Sequence, residues 1–144
     1  MPPTILHAED LREDAFLFAR ALRSVSGNKL AVKHSMDGQA AMDFLSQLDS
    51  HAAVQLELVV LDIKMPRRSG FEVLSWIRQQ PRFKHLPVVM FSSSAEPGDV
   101  ENSYSLGANS YLTKPLAFER LTELVRTLTR YWCDLNYRAM TRAG

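Results

Sequence analysis

The sequence predicts an α/β fold in which five strands and five helices alternate around one parallel sheet. Short apolar runs typical of strands are separated by longer segments whose apolar residues recur with helical spacing. One run, Leu58 to Leu61, is apolar throughout, as expected when helices cover both faces of a parallel strand. Such alternation implies right-handed crossovers and a doubly wound sheet.

Each strand is indicated by its own apolar run. The strands are predicted at residues 4–6, 30–34, 58–61, 87–91 and 109–113. The uninterrupted third run places that strand at the centre of the sheet.

The helices are predicted between these runs. Their apolar or helical positions extend over residues 16–22, 40–48, 71–77, 96–106 and 118–128. Pro81 ends the third helix, because proline lacks an amide hydrogen and clashes with the preceding turn. The fourth helix has the weakest apolar pattern, and the fifth is expected to continue through Tyr131 and Trp132.

Length and composition predict one domain over residues 1–144, with a core at about 4–130 and a helical tail at 131–144. Lys and Arg total 17 against 16 Asp and Glu, so charge does not favour nucleic-acid binding. The single cysteine, Cys133, excludes an internal disulfide and a thiolate zinc cluster. Since no signal peptide or membrane helix is recognisable, we expect a soluble, cytoplasmic protein.

Polar residues follow the strand-like runs at four places. They are the segments His7-Ala8-Glu9-Asp10, Leu61 to Pro66, Phe91-Ser92-Ser93 and Tyr111 to Pro115. If the strands are parallel, their carboxyl ends open on one edge of the sheet, where open α/β folds bind ligands. The sequence therefore predicts one acidic, phosphate-holding pocket at that edge.

Glu9, Asp10 and Asp62 are candidate ligands of a metal ion. Three carboxylates in a small pocket raise one another's pKa unless a positive charge joins them. Mg²⁺ takes oxygen ligands and commonly shares its shell with a phosphate. An alternative reading is that Glu9 and Asp10 only cap the helix that follows them.

Asp62 is also a candidate nucleophile, because an acid that closes an apolar run is costly to bury without a partner or a task. A carboxylate there can attack phosphorus and form an aspartyl phosphate. Lys114 could pair with the phosphoryl oxygens, and Ser92 could donate a hydrogen bond to one of them. Taken alone, Lys114 would be interpreted as a residue of a solvated loop and Ser92 as a turn residue.

These residues resemble those of the response-regulator receiver domains over residues 4 to 130. Asp62 matches the phospho-acceptor position of that family, Glu9 and Asp10 its acidic metal pair, Ser92 its Ser/Thr switch and Lys114 its lysine. Ser92 follows Asp62 by 30 residues and Lys114 follows Ser92 by 22, as in the family. The runs around Asp62 and Lys114 are similar to a subfamily of small stand-alone regulators that includes partners of bacterial phytochrome kinases.

The resemblance implies a flavodoxin-like sheet of order 2-1-3-4-5, Mg²⁺ as cofactor and a sensor histidine kinase, such as a bacteriophytochrome, as phosphoryl donor. Tyr111 takes the switch-aromatic position, and the backbone carbonyl of Lys64 would be a further metal ligand. The protein would catalyse only its own phosphorylation and dephosphorylation. Because about one helix and a tail follow Lys114, we expect the output to lie in an unknown downstream protein.

Lys64 and Ser94 depart from the commonest family pattern. Lys64 replaces a residue that is usually uncharged, amide or acidic, and Ser94 replaces one that is often acidic or amide. Both positions lie where a hydrolytic water would approach, so the sequence predicts slow self-dephosphorylation. Alternatively, both side chains point to solvent and change nothing.

Three rival functions compete with this interpretation. A phosphohydrolase of the haloacid-dehalogenase type also uses a strand-end Asp, but it has a second Asp where this chain has Lys64. A degenerate receiver that acts as a scaffold would lack key residues, and all are present. A dinucleotide-binding role lacks the Gly-rich loop after the first strand.

Aromatic residues after the fifth helix predict a homodimer through the surface of helix four, strand five and helix five. Tyr131, Trp132, Leu135 and Tyr137 exceed what one domain needs to cover its sheet. The alternative is that Trp132 folds back onto its own core. His7 is expected to be a packed core residue, and Arg67-Arg68 an exposed loop pair.

Overall fold

The computed structural model describes residues 2–48 and 54–139. Its strands are β1 (Pro3–Ala8), β2 (Ala31–Ser35), β3 (Gln55–Leu61), β4 (Val88–Ser92) and β5 (Ser110–Thr113). Its helices are α1 (Arg12–Ser26), α2 (Gly38–Gln47), α3 (Gly70–Gln79), α4 (Pro97–Ser105) and α5 (Phe118–Thr129). A 3-10 turn, Pro81–Phe83, follows α3, and a π-helical turn, Arg130–Leu135, extends α5. The predicted alternation of strands and helices is confirmed.

The strands form a parallel sheet of order β2-β1-β3-β4-β5. This is the flavodoxin-like order that the resemblance implies. β1 and β3 are neighbours, and Ala8 at the end of β1 pairs with Leu61 at the end of β3. The chain leaves β1 and β3 toward opposite sides of the sheet, so a crevice opens at their carboxyl ends.

The two faces of the sheet carry separate hydrophobic cores. Within β3, Val59 and Leu61 belong to the core under α2 and α3, whereas Leu58 and Val60 belong to the core under α1 and α5. All four side chains are fully buried. Helices on both faces therefore account for the uninterrupted apolar run.

Local signals explain where the helices begin. Asp37 caps α2, since its Oδ1 accepts from the Ala40 amide at 2.7 Å. Ser69 and Glu72 form a capping box at the start of α3. Pro97 opens α4, in which Ser103 is the one buried residue, so this helix is as weakly amphipathic as predicted. No helix within residues 2–48 and 54–139 is long and apolar enough to cross a membrane.

β3 begins earlier than predicted, at Gln55 instead of Leu58. Leu56 is buried, while the polar residues Gln55 and Glu57 alternate with it and bond to each other through their side chains at 2.6 Å. Because every second residue here is polar, a search for uninterrupted apolar runs does not detect the start of this strand.

The C-terminal segment corrects the predicted helical tail over 131–144. Helical structure ends at Leu135, and residues 136–139 have no regular secondary structure; residues 140–144 lie outside the described residues. Arg138 donates from Nη1 to the carbonyl oxygen of Leu56 at 3.1 Å. This contact draws the chain toward the beginning of β3 instead of continuing α5.

Trp132 packs against the core under α1 and α5 and is half-buried. Its ring meets that of Tyr131 edge-on, with centroids 4.8 Å apart. Tyr131, Leu135 and Tyr137 remain exposed. Trp132 therefore contributes to the domain's own core, as in the alternative weighed above, while its neighbours face outward.

Candidate functional site

The sheet itself positions the acidic residues at its carboxyl edge. The Glu9 amide donates to the Ser35 carbonyl at 3.0 Å, and the Asp62 amide donates to the Ala8 carbonyl at 3.1 Å. Both bonds continue the hydrogen bonding between strands by one residue. Glu9 and Asp62 are therefore held by the sheet and not by flexible loops.

Glu9, Asp10 and Asp62 lie together as predicted. Each offers a carboxylate oxygen, and these oxygens lie within 4.8 Å of one another. Glu9 is fully buried and Asp62 is 7% exposed. This set of hard oxygen donors fits a divalent cation such as Mg²⁺.

The capping alternative for Glu9 and Asp10 is supported only in part. The residue preceding α1 is Leu11, and no side chain caps this helix end in the standard manner. Glu9 Oε2 does accept from the Leu11 amide at 3.1 Å, so it stabilises the turn into α1. Its other oxygen faces the pocket and contacts Lys114.

Lys114 lies at the centre of the carboxylates. Its amide donates to the Ser92 carbonyl at 2.8 Å, which fixes the backbone at the end of β5. Its Nζ lies 2.5 Å from Glu9 Oε1, 2.9 Å from Asp14 Oδ2 and 3.1 Å from Asp62 Oδ2. The structure thus brings the predicted lysine to the predicted nucleophile.

Asp14 is a site residue that the sequence analysis missed. It lies in the first turn of α1, four residues after Asp10 in the chain. The available signal was its place in the first turn of the helix that directly follows the acidic strand end, where acidic residues are favoured. The residue it meets, Lys114, is 100 positions away in the chain.

The pKa values reflect crowded charge. The pKa of Glu9 is raised to about 7, chiefly by burial and also by the nearby Asp62 charge, although the hydrogen bond from Lys114 opposes both. Burial alone would lower the pKa of Lys114, but hydrogen bonds to Glu9 and Asp14 outweigh it, so this pKa is raised. The pocket therefore keeps a charged lysine, while burial disfavours the charged form of Glu9.

Asp62 has two chemically distinct oxygens. Oδ1 accepts from the Ile63 amide at 2.8 Å, whereas Oδ2 faces Lys114. Gly70 packs against the backbone here, because a Cβ at that position would lie 2.0 Å from the Asp62 carbonyl oxygen. The glycine lets the start of α3 approach the nucleophile closely.

Ser92, Ser94 and Tyr111 form a connected chain of contacts beside the pocket. Ser92 is buried at the end of β4, and its Oγ accepts from the Ser94 amide at 3.1 Å. The Tyr111 hydroxyl donates to the Ser94 carbonyl at 2.7 Å. The Tyr111 amide in turn donates to the Tyr104 hydroxyl at 3.1 Å. Tyr111 is half-buried and packs against the core under α2 and α3.

Lys64 and Ser94, which depart from the commonest family pattern, differ in their exposure and contacts. The Lys64 side chain is exposed, in agreement with the alternative that it points to solvent. Ser94 is half-buried, and its hydroxyl donates to Asp99 Oδ2 at 2.6 Å. Ser94 is therefore tied to α4.

The arginine pair after Asp62 is exposed, as predicted. Arg67 has a positive φ of 69° and lies 3.6 Å from the Asp37 carboxylate, while Arg68 pairs with Glu72 at 3.1 Å. These are surface ion pairs around the rim of the site and contribute little to stability.

His7 is a core residue, which confirms the prediction. It is 2% exposed and its ring centroid lies 4.2 Å from that of Phe18. Its Nδ1 has no hydrogen-bond partner within the described part of the chain. The pKa of His7 is lowered to about 3, chiefly by burial and to a smaller extent by the neighbouring His34 and Lys114.

Comparison with protein families gives a match to the response regulator receiver domain over residues 5–126. The chain belongs to this family. The family prediction made from the strand-end residues is thereby confirmed.

Relatives of this receiver domain include two regulatory proteins that it matches over most of their length. It is 36% identical over 135 residues to the probable methanogenesis regulatory protein FilR2 of Methanothrix harundinacea, covering 94% of this chain and 86% of that one. It is 35% identical over 135 residues to response regulator Rcp1 of Synechocystis sp., covering 92% and 90%.

Solved structures agree with the receiver fold. The phosphorylated cyanobacterial phytochrome response regulator RcpA gives a TM-score of 0.86 at 31% identity, covering 96% of this chain and 99% of that one. The Mn²⁺-bound form of Rcp1 gives a TM-score of 0.82 at 33% identity with the same coverage.

Proposed function

We propose that this receiver domain accepts a phosphoryl group on Asp62 from a sensor histidine kinase and signals by protein contact. The observation that carries the proposal is the position of Asp62 Oδ2, 3.1 Å from the Lys114 ammonium and beside the carboxylates of Glu9 and Asp10. A nucleophile, a cation for the phosphoryl oxygens and a metal-binding set converge at one point.

Asp62 Oδ2 is the attacking atom. Oδ1 is held by the Ile63 amide, which fixes the carboxylate rotamer and leaves Oδ2 free to approach phosphorus. As the bond from Oδ2 to phosphorus forms, the bond from phosphorus to the donor's histidine nitrogen breaks, and that nitrogen keeps the electron pair. Lys114 donates to the phosphoryl oxygens as negative charge moves into the pocket.

Glu9, Asp10 and Asp62 would hold Mg²⁺, with the Lys64 backbone carbonyl as a further ligand. Mg²⁺ supplies neutralisation of charge on the oxygens of the transferring group. The Mn²⁺-bound form of the relative Rcp1 supports a divalent cation at this kind of site. The close approach of the three carboxylates also favours a bound cation, because like charges repel one another.

Ser92 and Tyr111 are the proposed switch. Ser92 Oγ accepts from the Ser94 amide, so its own O–H remains available to donate to a phosphoryl oxygen. Because the Ser94 carbonyl accepts from Tyr111, a shift of Ser92 toward the phosphoryl group would pass through Ser94 to the tyrosine ring. Phosphorylation would thereby shift the balance between two forms of the surface of α4, β5 and α5.

Lys64 and Ser94 are proposed to slow hydrolysis of the aspartyl phosphate. Lys64 is exposed beside the acceptor, and the Ser94 hydroxyl is already donated to Asp99. Neither side chain offers a carboxylate to orient a water molecule.

The donor is proposed to be a kinase of the bacteriophytochrome type in the cytoplasm, since RcpA is a phytochrome response regulator. Exposed apolar side chains occur beside the site: Leu11 directly follows Asp10, Phe16 lies on α1, and Leu116 follows Lys114 by two residues. A partner that delivers phosphohistidine to Asp62 would contact this rim.

A homodimer through α4, β5 and α5 is the proposed assembly, with an unknown downstream protein as the output partner. A mostly apolar groove of about 990 Å³ runs beside β5 and α5, and its lining includes Leu112, Leu116 and Tyr131. Since Trp132 packs against its own core, the exposed Tyr131 is the better candidate for an anchor.

Intact mass spectrometry after incubation with acetyl phosphate and Mg²⁺ tests the phosphorylation. We expect the mass of one phosphoryl group on the wild type and on the control Asp43→Asn, which changes an exposed acid of α2. Asp62→Asn, or excess EDTA, should reduce labelling below detection. Labelling of Asp62→Asn would refute the acceptor, and release of phosphate without labelled protein would favour a phosphohydrolase.

A further inference from the structure

Lys114 has a third carboxylate partner that is not part of the proposed metal site. An ammonium group has three N–H donors, and the carboxylates of Glu9, Asp14 and Asp62 lie at 2.5, 2.9 and 3.1 Å from Nζ. Every donor of the lysine is therefore engaged. Glu9 and Asp62 belong to the carboxylate cluster that fits a cation, and Asp14 does not.

Asp14 approaches the lysine from a different side. Its side chain is 34% exposed, whereas that of Glu9 is fully buried and that of Asp62 is 10% exposed. It projects from the first turn of α1, while Glu9 and Asp62 are fixed at the ends of strands. Asp14 thus contacts Lys114 from the outer wall of the pocket.

We propose that Asp14 is a positioning residue that holds the Lys114 ammonium in place while the phosphoryl group is transferred. The inference rests on the proposed function. Glu9 would turn from the lysine to a cation, and Asp62 Oδ2 loses its charge when it bonds to phosphorus. Asp14 alone keeps both its charge and its contact with Nζ.

The three N–H donors of Lys114 allow Asp14 to stay bound while Glu9 and Asp62 leave the lysine. With Glu9 and Asp62 released, two N–H groups become free to donate to phosphoryl oxygens, and the third stays on Asp14. The lysine backbone is fixed by its bond to Ser92, but the flexible four-carbon stem leaves the ammonium many positions. An anchor at Nζ keeps the two free donors directed into the pocket.

Phosphorylation rates of Asp14→Ala and Asp14→Asn test the proposal, with Glu13→Gln as the matched control. Glu13 is an exposed acid in the same turn, so its variant removes the same charge without touching Lys114. We expect Asp14→Ala to lower the rate constant about tenfold, because a misplaced group loses much of its effect. Asp14→Asn, which keeps the shape, should lose less, and Glu13→Gln should match the wild type.

A double-mutant cycle shows whether Asp14 acts through the lysine. In a Lys114→Ala background, Asp14→Ala should cause no further loss. An equal loss in both backgrounds, a rate within twofold of Glu13→Gln, or a faster rate in Asp14→Ala would each overturn the proposal.

The ammonium itself provides a readout that does not require phosphorylation. In ¹⁵N-lysine NMR of the Mg²⁺-loaded protein, we expect a hydrogen-bonded Lys114 ammonium signal in the wild type and in Glu13→Gln. It should disappear or move in Asp14→Ala. A signal that is unchanged in Asp14→Ala refutes the role of Asp14. If the signal changes in Asp14→Ala but the wild type takes no phosphoryl group, only the proposed function is refuted.

Discussion

At the scale of single residues, the chemically important side chains occupy positions where sheet hydrogen bonding extends past the strands. Glu9, Asp62 and Lys114 each donate their amide to a carbonyl of the adjacent strand. Their backbones are as rigid as the sheet, so charge and hydrogen bonding decide what their side chains do. The buried His7 beneath them shows how strongly this region resists an additional charge.

His7 predicts a specific acid sensitivity. Its pKa is about 3 in the folded protein and about 6.5 when unfolded, so the unfolded state binds a proton that the native state excludes. Stability from His7 is therefore present above about pH 6.5 and is lost as the pH falls toward 3, at up to about 1.4 kcal/mol per pH unit.

Urea unfolding of the wild type and His7→Phe, both in EDTA, measures this effect. Phe cannot bind a proton, so the stability of the variant relative to the wild type should rise as the pH is lowered from about 7.5 to about 5. The raised pKa of Glu9 gives the opposite slope in both proteins and cancels in the comparison. A stability difference that does not change with pH would show that His7 is not held neutral.

At the scale of elements, the contact of α3 with the end of β3 determines the geometry of the nucleophile. The Gly70 amide donates to the Ile63 carbonyl at 2.8 Å, and the capping box of Ser69 and Glu72 fixes the first turn of α3 just behind it. The turn that carries Asp62 is thereby enclosed by backbone on two sides.

Gly70→Ala is expected to destabilise the protein by about 3 kcal/mol, because its Cβ meets backbone that cannot move aside without displacing Asp62. The control is Gly98→Ala in the first turn of α4, where nothing lies within 4 Å of an added Cβ. That change should be neutral or stabilising by up to about 1 kcal/mol. Urea unfolding measures both, and equal stabilities of the two variants would contradict the close packing at Gly70.

At the scale of the whole molecule, α5 and the turn after it combine two tasks. Leu121, Val125 and Leu128 fill the core under α1 and α5, and Trp132 extends that core by one more turn. The apolar residues on either side of it, Tyr131 and Leu135, are instead exposed to solvent. This division separates residues that stabilise the domain from residues available to a partner.

Tyr131→Ala and Trp132→Ala should therefore have different effects. We expect Trp132→Ala to lower the free energy of unfolding by about 3 kcal/mol, because it leaves a cavity against the core. Tyr131→Ala should leave stability nearly unchanged and weaken dimerisation by about 1 to 2 kcal/mol. Sedimentation velocity and urea unfolding distinguish the two variants. A wild type that is monomeric at micromolar concentration, with and without a phosphoryl analogue, would contradict the dimer proposal.

The strand order was implied by the family resemblance. The sequence by itself determined that the strands run parallel and that Glu9, Asp10, Asp62, Ser92 and Lys114 lie at one edge of the sheet. Apolar runs, helical periodicity and the handedness of crossovers suffice for this, because each is a local or general property of the chain. The strand-end positions follow without knowledge of any side-chain contact.

Only the tertiary structure decided which side chains touch. The contact of Asp14 with Lys114, the inward packing of Trp132, the hydroxyl bond of Tyr111 to Ser94 and the return of Arg138 to Leu56 all depend on side-chain direction. Three of these join residues distant in sequence: Asp14 and Lys114 are separated by 100 positions, Arg138 and Leu56 by 82, and Tyr111 and Ser94 by 17. The periodicity of a helix gives the face of a residue but not the partner that the fold brings to it.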